Sequence, residues 1–376
     1  MTDAAPLRIL HALRTPVGGI FRHVIDLAAG QAERGHDVGI LTDSLTGGAR
    51  ADAQLAELAP RMRLGIHRMP IHRAPHPSDL LTWLRFNRLA RQLAPQVLHG
   101  HGAKTGVFVR LPAAAPGRIR VYTPHGGSVH FGPHTLEGMI YMGLERALMA
   151  RTDLFLFESA FARDTLLKRI GGTPQGLVRT VFNGVTAGEF DPVLPAPDAT
   201  DIAYVGEFRP IKGADLLIDA VARLHADGRP VTVTLGGDGE QMEALKAQVE
   251  RLGLQRAVRF IGHVKARHGF AQGRLLVVPS RGDSMPYVVI EAGAAGVPMV
   301  ASDVGGIPEI FGPFRESLFA NGSVGAMADA IESALADLDG ARQRAKALRE
   351  RIFLQFSQKA MVDGIIAAYR EAFARR

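Results

Sequence analysis

Residues 274–310 read RLLVVPSRGDSMPYVVIEAGAAGVPMVASDVGGIPEI. Leu275–Val278 is an apolar run closed by Pro279-Ser280, as expected of a strand buried inside a parallel sheet. Ser284 and Pro286 are residue types that open helices. A helix is therefore predicted next, carrying Val288, Val289 and Glu291 and ending near Gly296. Val297–Ala301 reads as the following strand, with Asp303 and Gly305-Gly306 behind it. Two strand ends and one helix N-terminus thus fall in a single stretch. Open parallel sheets bind ligands at such strand ends. Free N–H groups at a helix start suit a phosphate, and Glu291 could accept bonds from ribose hydroxyls.

The spacing Asp283-x7-Glu291, followed by Ala292-Gly293, Gly296-Val297-Pro298 and Gly305-Gly306, resembles the acidic-x7-Glu segment of retaining glycosyltransferases, family 4 above all. The family usually carries Glu where this chain has Asp283, one methylene shorter. The resemblance implies an α/β chain with the GT-B fold: two facing, doubly wound, Rossmann-like domains with a cleft between them. It also implies a nucleotide-sugar donor, UDP- or GDP-linked, as substrate with no cofactor. Ser284, Tyr287, Val288, Val289 and Glu291 would hold that donor, and Asp283 would orient its sugar.

The rest of the chain extends this pattern. At 376 residues two domains are expected, here 1–188 and 189–357, with a last helix from about 358 to 376 crossing back to the first. The Pro-rich Asp191–Thr200 reads as the linker. With 47% hydrophobic and 22% charged residues the chain is globular. There are no cysteines, which excludes disulfides and thiolate metal sites. The N-terminal apolar run is too short for a signal peptide, and no stretch is long enough to span a membrane. A cytoplasmic protein is expected, at most peripheral on the inner face of the membrane.

In the first half, Arg8–Leu13 is a strand and Gly18-Gly19 with His23 opens a helix. The loop is not G-x-G-x-x-G, so the dinucleotide fingerprint fails, and Asp43 at the next strand end reads as a turn residue. Gly18, Gly19 and His23 resemble the family's Gly-Gly-x-x-x-His element, whose glycines approach the donor diphosphate. His99-Gly100-His101-Gly102 follows a strand. Without a carboxylate or Cys cluster nearby a metal reading has little support; the element resembles the family's His-x-His-x, which lines the cleft. Thr123-Pro124-His125-Gly126 resembles the family's Thr-Pro-His-Gly, whose His reaches the donor sugar; Gly127, His130 and Phe131 follow it.

In the second half, Gly206 and Gly213 bound a loop holding Arg209 and Lys212. Two cations there suit a diphosphate, Arg as a fork and Lys as a point charge, and the family uses this pair for the leaving group. His263-Val264 corresponds to backbone that meets the nucleobase. Asp337-Leu338-Asp339, the one D-x-D that could pass for a metal motif, reads as a solvated helix terminus before Gly340. No metal is expected.

Charge is uneven. Residues 1–185 hold 20 Arg and 2 Lys against 8 Asp and 5 Glu, a net +9, and the remainder is −2. A basic half fits an anionic partner. The helix predicted over Leu80–Leu93, capped by Ser78-Asp79, carries Trp83 and Phe86 beside Arg85, Arg88 and Arg91; Arg61, Arg63, Arg68 and Arg73 precede it. It could lie on anionic lipid with Trp83 and Phe86 inserted, or simply cover its sheet. The reading is a glycosyltransferase acting on a glycan or lipid-linked saccharide, with no nucleic acid expected. The alternatives are another GT-B enzyme, such as a nucleotide-sugar epimerase, or a polyanion-binding protein.

Overall fold

The computed structural model describes residues 5–112, 115–126 and 135–376. Gly127, His130 and Phe131 lie outside them. The chain forms two compact units, Met1–Gly184 with Gln358–Arg376, and Val185–Ser357. Asp191–Thr200, expected as the linker, lies within the second unit. There Val193 N donates to Ala295 O at 3.1 Å and Ala196 N to Ala271 O at 2.8 Å.

The first unit is built on seven parallel strands: β1 Arg8–Leu13, β2 Asp37–Asp43, β3 Ile66–Met69, β4 Val97–His101, β5 Ile119–Thr123, β6 Leu154–Phe157 and β7 Leu177–Thr180. Their spatial order is β3-β2-β1-β4-β5-β6-β7. The order reverses between β1 and β4, where a doubly wound sheet opens its ligand crevice. One face packs Ile9, Val97, Val121 and Leu156 under Met361, Val362, Ile365 and Tyr369 of the helix Gln358–Ala374. The other packs Leu10, Leu41 and Leu98 against Phe86, Ala90 and Phe108.

That second face corrects the membrane reading of the helix Asp79–Leu93. Phe86 is wholly buried and Trp83 packs on the core beside it, so neither is available for insertion. Leu80, Leu81 and Leu84 are the exposed apolar residues. Of the arginines counted toward a basic surface, Arg61 pairs with Glu33, Arg63 with Asp37 and Arg68 with Asp52. Ser78 does not cap the helix through its side chain; its Oγ is bonded to His76 Nδ1 at 2.7 Å. Asp43 is buried and accepts bonds from Thr46 Oγ1 and Ile71 N at 2.7 and 2.8 Å, so it organises its loop.

The second unit has six parallel strands: β8 Thr200–Val205, β9 Val233–Gly236, β10 Val258–Phe260, β11 Gly273–Val278, β12 Met299–Asp303 and β13 Leu318–Ala320. Their order, β10-β9-β8-β11-β12-β13, reverses between β8 and β11. Its core joins Leu235, Leu275 and Val277 to Leu217, Val221, Met327 and Ile331 of the covering helices. β12 starts two residues later than the apolar run. Val297 N is used to close the preceding helix on Ala292 O at 2.9 Å, and Pro298 has no N–H to give. Asp337 is a helix terminus twice over: it closes Val324–Ala336, and its Oδ1 accepts from Gly340 N at 2.9 Å to cap Leu338–Gln355.

Candidate active site

In the second unit the loops after β8, β11 and β12 are interlocked at the reversal point. Gly213 has φ +73°, and a Cβ there would lie 2.1 Å from Pro279 O. Gly305 has φ +61°, and its Cβ would lie 1.7 Å from Asp283 O. Both positions therefore need glycine for conformation and for space. Arg281 N donates to Ile211 O at 2.8 Å and Gly306 N to Asp283 O at 3.1 Å, which ties the three loops together. Gly206 extends the rim: its N–H meets Gly236 O at 3.1 Å, and Gly237 N meets Gly262 O at 2.8 Å, next to His263 and Val264.

On this frame Lys212 Nζ donates to Asp283 Oδ2 at 2.7 Å, and Ser280 Oγ lies 3.4 Å from the same oxygen. Arg209 is 54% exposed and its one ion pair among the described residues is a loose 3.4 Å contact to Glu207, so its fork is open to a ligand. Lys212 and Asp283, assigned separate partners from sequence, thus start as a pair. The shorter Asp reaches Lys212 across the gap between two loops.

Glu291 is buried in the helix Tyr287–Ala294, while Ser284, Tyr287 and Val288 are half-buried at its start. Val289 is wholly buried and its N–H is taken by Pro286 O at 3.2 Å, so its side chain belongs to the core. Ser284 does not cap this helix; Pro286 occupies the cap position. Sequence reading missed the Arg281 fork on Asp215, at 2.7 and 2.6 Å, which anchors the β11 loop to the helix Ala214–Ala226. Burial alone would raise the Asp215 carboxyl, but the Arg281 bonds outweigh it and hold it below the usual range. Arg281 follows Ser280 at the strand end, so a basic residue at that corner was the available signal.

In the first unit five imidazoles gather at the β1/β4 reversal. Register places His11 beside His99, and the two-residue period puts His101 on the same face. His101 then meets His125, at the end of β5, and His23, on the helix Gly18–Glu33. His99 bridges Tyr369 Oη at 2.7 Å and Thr123 Oγ1 at 2.8 Å. His125 has φ +49°, a left-handed conformation that a non-glycine residue holds at a cost of about 1–3 kcal/mol. Gly126 follows it with φ +69°, and Gly18 and Gly19 lie exposed at the start of the His23 helix. Sequence reading overlooked His11, although a His in the otherwise apolar RILHAL was its mark.

Burial removes the charge from this cluster. It lowers His11 to about 4 against the opposing bond to Gln31. His23 is also lowered to about 4, by burial first and then by His11. His99, His101 and His125 lie well below the ordinary value, again by burial first and then by their neighbours. All five rings are neutral at pH 7.

Two family models match the chain: "Glycosyltransferase Family 4" over residues 17–188 and "Glycosyl transferases group 1" over residues 199–337. The chain belongs to the family 4 glycosyltransferases of GT-B fold, and its activity is glycosyl transfer. Glycogen synthase of Mycobacterium tuberculosis is 28% identical over 392 residues, spanning 95% of this chain and 92% of that protein. The sucrose-phosphate synthase of Thermosynechococcus elongatus shares the fold at TM-score 0.80 and 23% identity, covering 98% of this chain and 100% of that one. Anabaena Alr3699/HepE, solved with UDP-glucose, does so at TM-score 0.79 and 20% identity, covering 98% and 100%.

Proposed function

We propose that the enzyme moves a sugar, with retention at the anomeric carbon, from a UDP- or GDP-sugar to a glycan or lipid-linked saccharide of the bacterial cell surface. The observation that carries the donor half is the β8/β11 corner, where Arg209 and Lys212 stand beside the Asp283-x7-Glu291 helix start. Arg209 and Lys212 meet the charge that develops on the departing diphosphate, which is electrostatic catalysis without a metal in that role. Lys212 exchanges part of its bond to Asp283 for phosphate oxygens, and Asp283 turns to the sugar hydroxyls. Glu291 holds the ribose, and His125 is assigned to the transferred sugar. The departing phosphate takes the acceptor's proton, so no side-chain nucleophile is required. A hydrolysis screen across UDP-, GDP- and ADP-sugars without acceptor tests the reading. Turnover with one nucleotide is expected, and turnover with none, or epimerised donor as the product, would overturn it.

Glu291→Gln is expected to weaken donor binding by roughly 1–3 kcal/mol, because a charged acceptor becomes a neutral amide. Calorimetric titration of the donor checks this, and unchanged affinity would remove the ribose role.

The acceptor half rests on the basic first unit and the exposed Leu80, Leu81 and Leu84 beside Arg85, Arg88 and Arg91. None of the described helices is long and apolar enough to cross a membrane. Peripheral binding through that helix face is expected, since each basic residue near an anionic surface contributes ~1 kcal/mol. In co-sedimentation the protein should pellet with anionic vesicles, less so as salt screens the attraction. Equal partition to neutral and anionic vesicles, or none to either, would sink this assignment.

A further inference from the structure

His23, His101 and His125 each bring one ring nitrogen into a group whose members all lie within 4.8 Å of one another. Hydrogen bonding decides which nitrogens carry lone pairs. His11 Nε2 is 2.7 Å from Gln31 Oε1, and His11 Nδ1 is 3.0 Å from His101 Nε2. An amide oxygen only accepts, so His11 donates from Nε2 and His101 donates from Nε2 to His11 Nδ1. That leaves a lone pair on His101 Nδ1. His23 donates from Nδ1 to Asn183 Oδ1 at 3.0 Å, which leaves a lone pair on Nε2. His23 Nε2 is buried and has no hydrogen-bond partner among the described residues. His125 Nε2 lies 3.1 Å from His101 Nδ1, near the ~3.4 Å between nitrogens bound tetrahedrally at about 2.0–2.1 Å from zinc.

We propose that His23, His101 and His125 form a three-imidazole site for a borderline divalent transition metal of the Zn²⁺ or Co²⁺ kind. Asn183 and the His11–Gln31 chain are its outer support, each receiving the N–H opposite a ligand nitrogen, the arrangement that orients histidine ligands. Neutral rings suit such an ion, because no proton has to be expelled first. His125 is half-exposed, so an ion can enter from its side and keep a water as fourth ligand. On entry the His125 proton passes from Nε2 to Nδ1 through solvent, and the ring stays neutral. His11, His99 and His101 also group. Both nitrogens of His99 are already committed to Tyr369 and Thr123, so the outer set is favoured.

The ion would hold His125 away from the sugar, so occupancy inhibits transfer and chelation restores it. This consequence rests on the role proposed above for His125; the binding itself does not. The test titrates the untagged, chelator-stripped full chain with Co²⁺ and then Zn²⁺. One equivalent of Co²⁺ should give the intense visible absorption of a four-coordinate ion, and Zn²⁺ should displace it. His23→Ala and His125→Ala should abolish the band, and Asn183→Ala should weaken affinity about 10–100-fold, the size of an outer-support loss. His99→Gln should leave the band in place. Thermal melting verifies that each variant is folded, and the half-exposed His125 position is the safest of them. No band in the parent, equal affinity in His23→Ala and His125→Ala, or loss confined to His99→Gln would overturn the assignment. Donor turnover is read separately, with Zn²⁺ and then EDTA. Binding without inhibition upholds the metal site and removes His125 from the sugar.

Discussion

Lys212→Ala and Arg209→Ala are each expected to lower turnover ~10²–10³-fold, the loss typical of one preorganised donor to a developing charge. The two should differ in how the loss is distributed. Arg209 is largely solvated and bound only loosely to Glu207, so its removal leaves the ground state little changed and the effect falls on kcat. Lys212 is bonded to Asp283 at 2.7 Å. Its removal also leaves a carboxylate uncompensated beside the place assigned to the diphosphate, and like charges at close range repel. Lys212→Ala should therefore raise KM as well as lower kcat, and adding Asp283→Asn should recover much of the KM. Steady-state rates at saturating and limiting donor separate these cases. Near-normal turnover in both single variants, with folding intact, would end the assignment of this corner to the leaving group.

The buried strands Arg8–Leu13 and Gly273–Val278 were legible as short, mostly apolar runs, whereas Ile66–Met69, half of it His and Arg and none of it fully buried, carries no such run. The glycine loops at Gly213 and Gly305 were legible for a different reason: a Cβ at either position would run into the backbone of a neighbouring loop. What could not be read was pairing across distant sequence. The Lys212–Asp283 bond joins residues 71 apart, and the Arg281–Asp215 fork joins residues 66 apart. The same limit hid His11, which meets His101 only because β1 and β4 are neighbours in space. It also left two readings of Asp79–Leu93 open, of which the helix covering its sheet is the one the packing bears out. Composition places Trp83 and Phe86 among arginines, but only packing reveals that they face Leu10 and Phe108 while the leucines face out.

The largest stability effect is expected at a buried ion pair in the first unit. Arg110, on the helix Ala103–Arg110, is wholly buried and donates from Nη1 to Glu145 Oε2 at 2.7 Å. Its Nε donates to Gly106 O at 2.8 Å, and its guanidinium lies 3.9 Å from the centre of the Tyr122 ring. Tyr122 Oη in turn donates to Glu145 Oε1 at 2.7 Å, so one carboxylate serves both partners. The fit is tight, since a Cβ on Gly106 would come within 2.3 Å of the Tyr122 ring. Arg110→Met keeps much of the volume but takes from the buried Glu145 its opposite charge, and a loss of about 3–5 kcal/mol is expected. Glu145→Met strands Arg110 instead and should cost a similar amount. The double variant should lie closer to the parent than either single one, because a buried pair repays little more than its own desolvation. Tyr122 Oη would still lose its bond to Glu145 there, a penalty of roughly 1–3 kcal/mol that adding Tyr122→Phe should relieve. Denaturant midpoints of the transition that reports on the first unit, compared through this cycle, check the coupling. Singles and double that add independently would show that Arg110 acts through packing alone.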